Sequence, residues 1–115
     1  MHEYSIVSAL VDRVQREADA HPGAVVQRLH LRIGELAGVE IDLLHTAFMT
    51  FRERSVCAEA ELAITRVAAA WRCTRCDREI AAGEILTCPE CRRPARLIAG
   101  DDIVLERIEM EVPDV

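Results

Sequence analysis

Two C-x-x-C pairs, Cys73/Cys76 and Cys88/Cys91, stand eleven residues apart and constrain this chain more than any other feature. Each pair can present two sulfurs to one ion, and the spacing is close to that of a tetrahedral structural zinc site. Thiolates favour zinc or an iron–sulfur centre over a hard cation. Isolated pairs with a hairpin-length spacer favour mononuclear zinc, with a redox dithiol or disulfide as the competing use. Four cysteine ligands leave no open coordination position, so the expected ion holds structure rather than performing catalysis. The surrounding stretch, from about Trp71 to Ala95, is poor in long aliphatic side chains and cannot build a sizeable apolar core of its own. A bound ion can supply the missing folding free energy, ~10–16 kcal/mol apparent for small structural zinc modules.

The rest of the chain reads as an α+β unit. Val7, Leu10, Val11, Val14 and Ala18 recur at helical spacing from Glu3 to Ala18, and His21-Pro22-Gly23 ends that helix. From Val25 to Ile33 the pattern alternates, with Val25, Gln27, Leu29, Leu31 and Ile33 expected on the inner face and Arg28, His30 and Arg32 opposed. After a glycine-bounded turn at 34–38, Ile41, Leu44, Phe48 and Phe51 form a second helical stripe. Leu62 and Ile64 mark a short strand, and Ile103 to Val112 a longer one. In the last strand Ile103 and Leu105 share a phase that shifts before Ile108, Met110 and Val112. Either a bulge lies near Glu106 and Arg107, or the two halves bury opposite faces. The expected architecture is therefore a small three-stranded sheet with two helices, residues 1–70 and 97–115, carrying an inserted four-cysteine zinc-ribbon-like domain at 71–96.

Charge and cysteine usage narrow the function classes. With 14 arginines, no lysine and 20 acidic residues, the 115-residue chain has a net charge of −6, which argues against electrostatic capture of nucleic acid or an anionic membrane. No basic leader with an apolar run opens the sequence, and no segment approaches transmembrane length, so a cytoplasmic protein is expected. Arg72, Arg75, Arg78, Arg92, Arg93 and Arg96 surround the cysteines, interleaved with Asp77, Glu79, Glu84 and Glu90. They read equally as a charged solvated loop or as donors to the thiolates. Cys57 has no partner at ligand spacing and reads as a small buried apolar residue. Trp71 is expected as a packing wedge between the two units. Among the histidines, His21 fits a turn, His30 the polar side of a strand and His45 a helix.

The order Met1-His2-Glu3 places an amine, a backbone nitrogen and an imidazole in one short stretch, with a carboxylate next. A nitrogen-rich set suits Ni(II), the terminal amine and an ionised His2 amide completing adjacent chelate rings with the imidazole. A fourth donor can come from the Glu3 backbone or another residue.

Together, Met1-His2-Glu3, the Ile33-Gly34-Glu35-Leu36 turn and the Cys73/Cys76/Cys88/Cys91 set resemble the HypA/HybF family of nickel metallochaperones for nickel–iron hydrogenase maturation. The resemblance runs through essentially the whole chain. It implies a nickel site at Met1, His2 and Glu3, and zinc, Zn(2+), on the four cysteines. Labile Ni(2+) would then be cargo and no catalysis is implied. It also implies as partners a nickel-handling maturation GTPase and a hydrogenase large-subunit precursor, with urease maturation proteins served in some lineages. Monomer and homodimer are both compatible with it. The competing readings are a zinc-ribbon nucleic-acid-binding adaptor, motivated by the arginines near the cysteines, and a thiol enzyme using Cys73 or Cys76. A purely structural regulator is the third.

Overall fold

The computed structural model describes residues 2–76, 78–80, 88, 90 and 92–113. Helix α1 spans Glu3–Asp19 and buries Val7, Leu10, Val11, Val14 and Ala18, the stripe that the 3.6-residue period predicts. Strand β1 (Val25–Gly34) follows, then helix α2 (Ile41–Phe51), a short 3₁₀ turn (Arg52–Arg54) and strand β2 (Glu61–Val67). Strands β3 (Ala70–Cys73), β4 (Glu79–Ile80) and β5 (Ala95–Ala99) belong to the cysteine region, and β6 (Ile103–Glu111) closes the chain.

Two sheets result, ordered β2-β1-β6 and β4-β3-β5. In the first, β1 pairs parallel with β2, because α2 carries the chain back across the sheet, and antiparallel with β6. Both helices cover one face. Phe48, Leu44, Leu29, Leu31, Ile33, Val7, Val14 and Val26 are its most deeply buried side chains, and Cys57 joins them with its thiol pKa pushed up by burial.

The opposite face is polar. Arg28 pairs with Glu61 at 3.0 Å, and His30 Nε2 lies 2.8 Å from Glu109 Oε2. That contact holds the Glu109 carboxyl below the usual carboxylate range, with Arg107 and Arg28 adding to the effect.

The pairing register resolves the two phase questions. Opposite His30 and Leu31, β6 offers Arg107 and Leu105, so Glu106 is the extra residue of a bulge, and Ile103, Leu105, Ile108 and Met110 all reach the core. A second bulge corrects the expectation for β1. Val26 faces inward and Val25 and Gln27 outward, because Gln27 is the extra residue between Val26 and Arg28. On α2 the buried residues are Leu44, Ala47 and Phe48, whereas Phe51, expected on the stripe, is 43% exposed.

The second sheet buries its own small cluster of Cys73, Ile80 and Cys88, with Trp71 and Ala95 packed against it. Trp71 is thus not a wedge between the two units: it pairs with Ile80 and Leu97 inside the β4-β3-β5 sheet. The radius of gyration, 18.4 Å, exceeds the ~13 Å of one compact body of this length. The two clusters therefore form two lobes. They join where the backbone from β2 to β3 and that from β5 to β6 meet the end of β1. There the Gly34 N–H donates to Asp102 O (2.9 Å), the Glu35 N–H to Val67 O (2.8 Å) and the Leu36 N–H to Gly100 O (2.7 Å).

Candidate metal centres

Cys73 ends β3 and opens a tight turn through Cys76. Its backbone N–H donates to Arg78 O (2.8 Å), while the N–H groups of Arg75 and Cys76 point at its Sγ (3.4 and 3.3 Å). Two amide N–H groups aimed at one sulfur are placed to share the charge of a metal-bound thiolate. The second knuckle repeats the first of these bonds, Cys88 N–H donating to Arg93 O (2.9 Å), and closes its turn with Arg92 N–H donating to Cys88 O (2.8 Å). The turns bring the ligand atoms of Cys73, Cys76 and Cys88 within 4.8 Å of one another. A tetrahedral ion with Zn–S of ~2.3 Å needs sulfurs ~3.8 Å apart, so the three residues fit zinc. Cys91, the fourth expected ligand, lies outside the described residues. Arg78 and Glu90 span the two knuckles at 3.0 Å. Both side chains are largely exposed, so this pair contributes register more than stability.

One residue of this centre carries backbone strain. Arg92 has φ +56°, the left-handed region that glycine enters freely. The conformation costs a side-chain-bearing residue ~1–2 kcal/mol, partly offset in a glycine variant by ~0.5–1 kcal/mol of unfolded-chain freedom. Arg92→Gly should therefore tighten zinc retention a few-fold in chelator competition. Equal or weaker retention would show that the side chain itself supports the knuckle.

At the other end of the chain, His2 is the N-cap of α1, with extended dihedrals (φ −83°, ψ 105°) and an exposed side chain. Its carbonyl accepts from Ser5 (3.1 Å) and Ile6 (3.3 Å). The backbone N–H groups of His2 and Glu3 precede the first N–H that the helix uses, that of Ser5, so no intrahelical carbonyl consumes them. His2, Glu3 and Tyr4 line a shallow cleft of about 200 Å³ closed by Leu43, Thr46 and Ala47 of α2. Met1 lies outside the described residues. The structure thus brings three of the four cysteines together and sets His2 and Glu3 at a helix start, while His21, His30 and His45 join neither centre.

The family model described as "Hydrogenase/urease nickel incorporation, metallochaperone, hypA" matches residues 1–110. The chain belongs to the HypA family. The hydrogenase maturation factor HypA of Shewanella oneidensis is 38% identical over 113 residues, 96% of this chain and 96% of the relative. That of Wolinella succinogenes is 38% identical over 117 residues, 99% of this chain and 98% of the relative. The solution structure of the nickel metallochaperone HypA from Helicobacter pylori superposes with a TM-score of 0.69 at 31% identity, covering 98% of this chain and 100% of that one. A second solution structure of a HypA protein gives 0.71 at 30% identity, covering 96% and 97%.

As a HypA-family member the chain is a nickel metallochaperone of hydrogenase maturation, not an enzyme, and it acts with other components of that process. Among the described residues no helix is long and apolar enough to cross a membrane. Sequence reasoning did not find the meeting of β1 with the two linkers; the glycines at 34 and 100 were the available signal.

Proposed function

We propose that this chain carries Ni(II) on Met1, His2 and Glu3 and hands it to the nickel–iron hydrogenase large-subunit precursor. On this reading zinc sits on Cys73, Cys76, Cys88 and Cys91 in a module centred on residues 71–96, whose strands begin at Ala70 and end at Ala99, set into a domain formed by the flanking segments. The observation that carries the reading is His2 at the N-cap of α1. An exposed imidazole stands beside backbone nitrogens that the helix leaves without an acceptor. The positive end of the helix opposes a bare dication but favours deprotonated amides. It therefore suits a site in which ionised backbone nitrogens offset the nickel charge. Protons compete for the same nitrogens, so acidification should release the ion.

Zinc on these cysteines would supply a fixed structural anchor and no chemistry of transfer. Cys73 and Cys88 hold it from within the small apolar cluster, and Cys76 from its exposed side. A nickel-handling maturation GTPase and the large-subunit precursor are the partners on this reading, with urease maturation a second destination, all in the cytoplasm. Few protein donors at an exposed terminus permit ligand exchange with a partner, whereas four thiolates resist it.

The test is Ni(II) titration of untagged protein with an intact Met1, beside His2→Ala and an amino-terminally extended form. Both altered proteins should lose nickel affinity by more than the ~10–100-fold that removing an outer-shell partner costs, with one zinc retained per chain. Unchanged affinity would remove Met1 and His2 from the site.

A further inference from the structure

The turn after β1 gathers three backbone segments into van der Waals contact. A Cβ on Gly34 would lie 2.2 Å from the carbonyl carbon and oxygen of Gly100, and one on Gly100 would lie 2.6 Å from Ala69 Cα. Gly34, Glu35 and Leu36 donate their N–H groups to both linkers, as described. One further bond runs the other way, and it is made by a side chain: Ala69 N–H donates to Glu35 Oε2 at 3.1 Å. Ala69 is itself buried and directly precedes β3, the strand that ends in Cys73.

The two lobes have separate apolar clusters that share no residue. Among the described residues no common core fixes their mutual orientation, and the crossing of the linkers is what joins them. Backbone bonds hold Val67 and Gly100 and Asp102 at this crossing, while Ala69, the last residue before β3, packs against Gly100 and, among the described residues, gives its N–H to Glu35. A carboxylate accepting a buried amide N–H makes a stronger bond than a neutral pair.

We infer that Glu35 is a positioning residue: its carboxylate, closing the Gly34–Leu36 turn over Ala69, locks the cysteine lobe in one orientation relative to the two-helix lobe. A partner that touches both lobes then meets them preset, without the entropy cost of ordering a swinging arm. The inference does not rest on the nickel site.

The experiment uses isotope-labelled, zinc-loaded, nickel-free full-length protein. Residual dipolar couplings are measured for β1, β2 and β6 and, separately, for β3 and β5, together with amide exchange at Ala69. In the native protein one alignment tensor should fit both lobes. In Glu35→Ala the tensors should separate, with that of the cysteine lobe smaller, and Ala69 exchange should quicken at least ~10-fold. Glu35→Gln keeps an acceptor oxygen and should restore the common tensor. Should Glu35→Ala fail to fold, Glu35→Asp retracts the carboxylate by one methylene and tests the same contact. One shared tensor in the Ala or Asp variant, unchanged Ala69 exchange, or a Gln variant that behaves like Ala would overturn the inference. Nickel titration of the same proteins reads the other site independently, so the two readings fail separately.

Discussion

Removal of zinc, by chelation or by replacing Cys73 or Cys88 with serine, is expected to unfold the β4-β3-β5 lobe and leave the two-helix lobe folded. Among its described residues the cysteine lobe buries one aliphatic side chain, Ile80, beside Cys73 and Cys88. Such a side chain contributes ~1.5–3 kcal/mol, whereas ordering the backbone of every residue costs ~1–2 kcal/mol. Without the ion the deficit is large. The loss should approach the ~10–16 kcal/mol apparent binding free energy of a structural zinc, which here is folding free energy. The single tryptophan, Trp71, packs against this cluster, so its emission should shift to longer wavelength on chelation. Helical circular dichroism, which comes from α1 and α2, should persist with its own melting transition. An unshifted Trp71 spectrum in fully metal-free protein would mean that the lobe stands without zinc.

Gly34→Ala is expected to be the most damaging single methyl in the two-helix lobe. The added carbon would overlap the Gly100 carbonyl at 2.2 Å and approach Asp101 N at 2.7 Å, backbone atoms that cannot rotate aside. Relief requires separating β1 from the linker. That breaks the bonds from Gly34 to Asp102 and from Leu36 to Gly100, each a paired backbone group that would then lie unsatisfied. A loss of roughly 3–5 kcal/mol follows, at the upper end of single-substitution effects, readable as a lowered urea midpoint for the two-helix lobe. Gly38→Ala serves as a comparison. Its Cβ meets no atom within 4 Å, so only the positive φ of +74° opposes it, a cost of ~1–2 kcal/mol.

Much of the fold is legible in the residues themselves. The stripes of α1 and α2 are periodic. The phase shift between Leu105 and Ile108 marks a bulge, because period-two alternation keeps one face buried across such a shift only by adding a residue. The bulge at Gln27 escapes that logic, since adjacent Val25 and Val26 are both apolar and either can face the core. Phe51 escapes it too: the helical period continues to the end of α2, but the covering layer does not. Strands β3 to β5 have almost no alternation to read, because clustering of the cysteines, rather than apolar patterning, orders them. The crossing at Gly34, Gly100 and Ala69 is carried by backbone atoms, which leave no mark on the sequence beyond the glycines that make room for it. Of the two metal centres, the cysteine spacing is informative by itself, while His2 gains meaning only once α1 is seen to start immediately after it.

Tyr4, the chain's one tyrosine, is 56% exposed and shares a cleft with His2, while the sole tryptophan belongs to the opposite lobe. Each end of the molecule thus owns a different intrinsic chromophore. On the proposed assignment, zinc can be followed at Trp71, excited alone at the red edge of its absorption, and nickel through the difference absorption of Tyr4, both on unlabelled material.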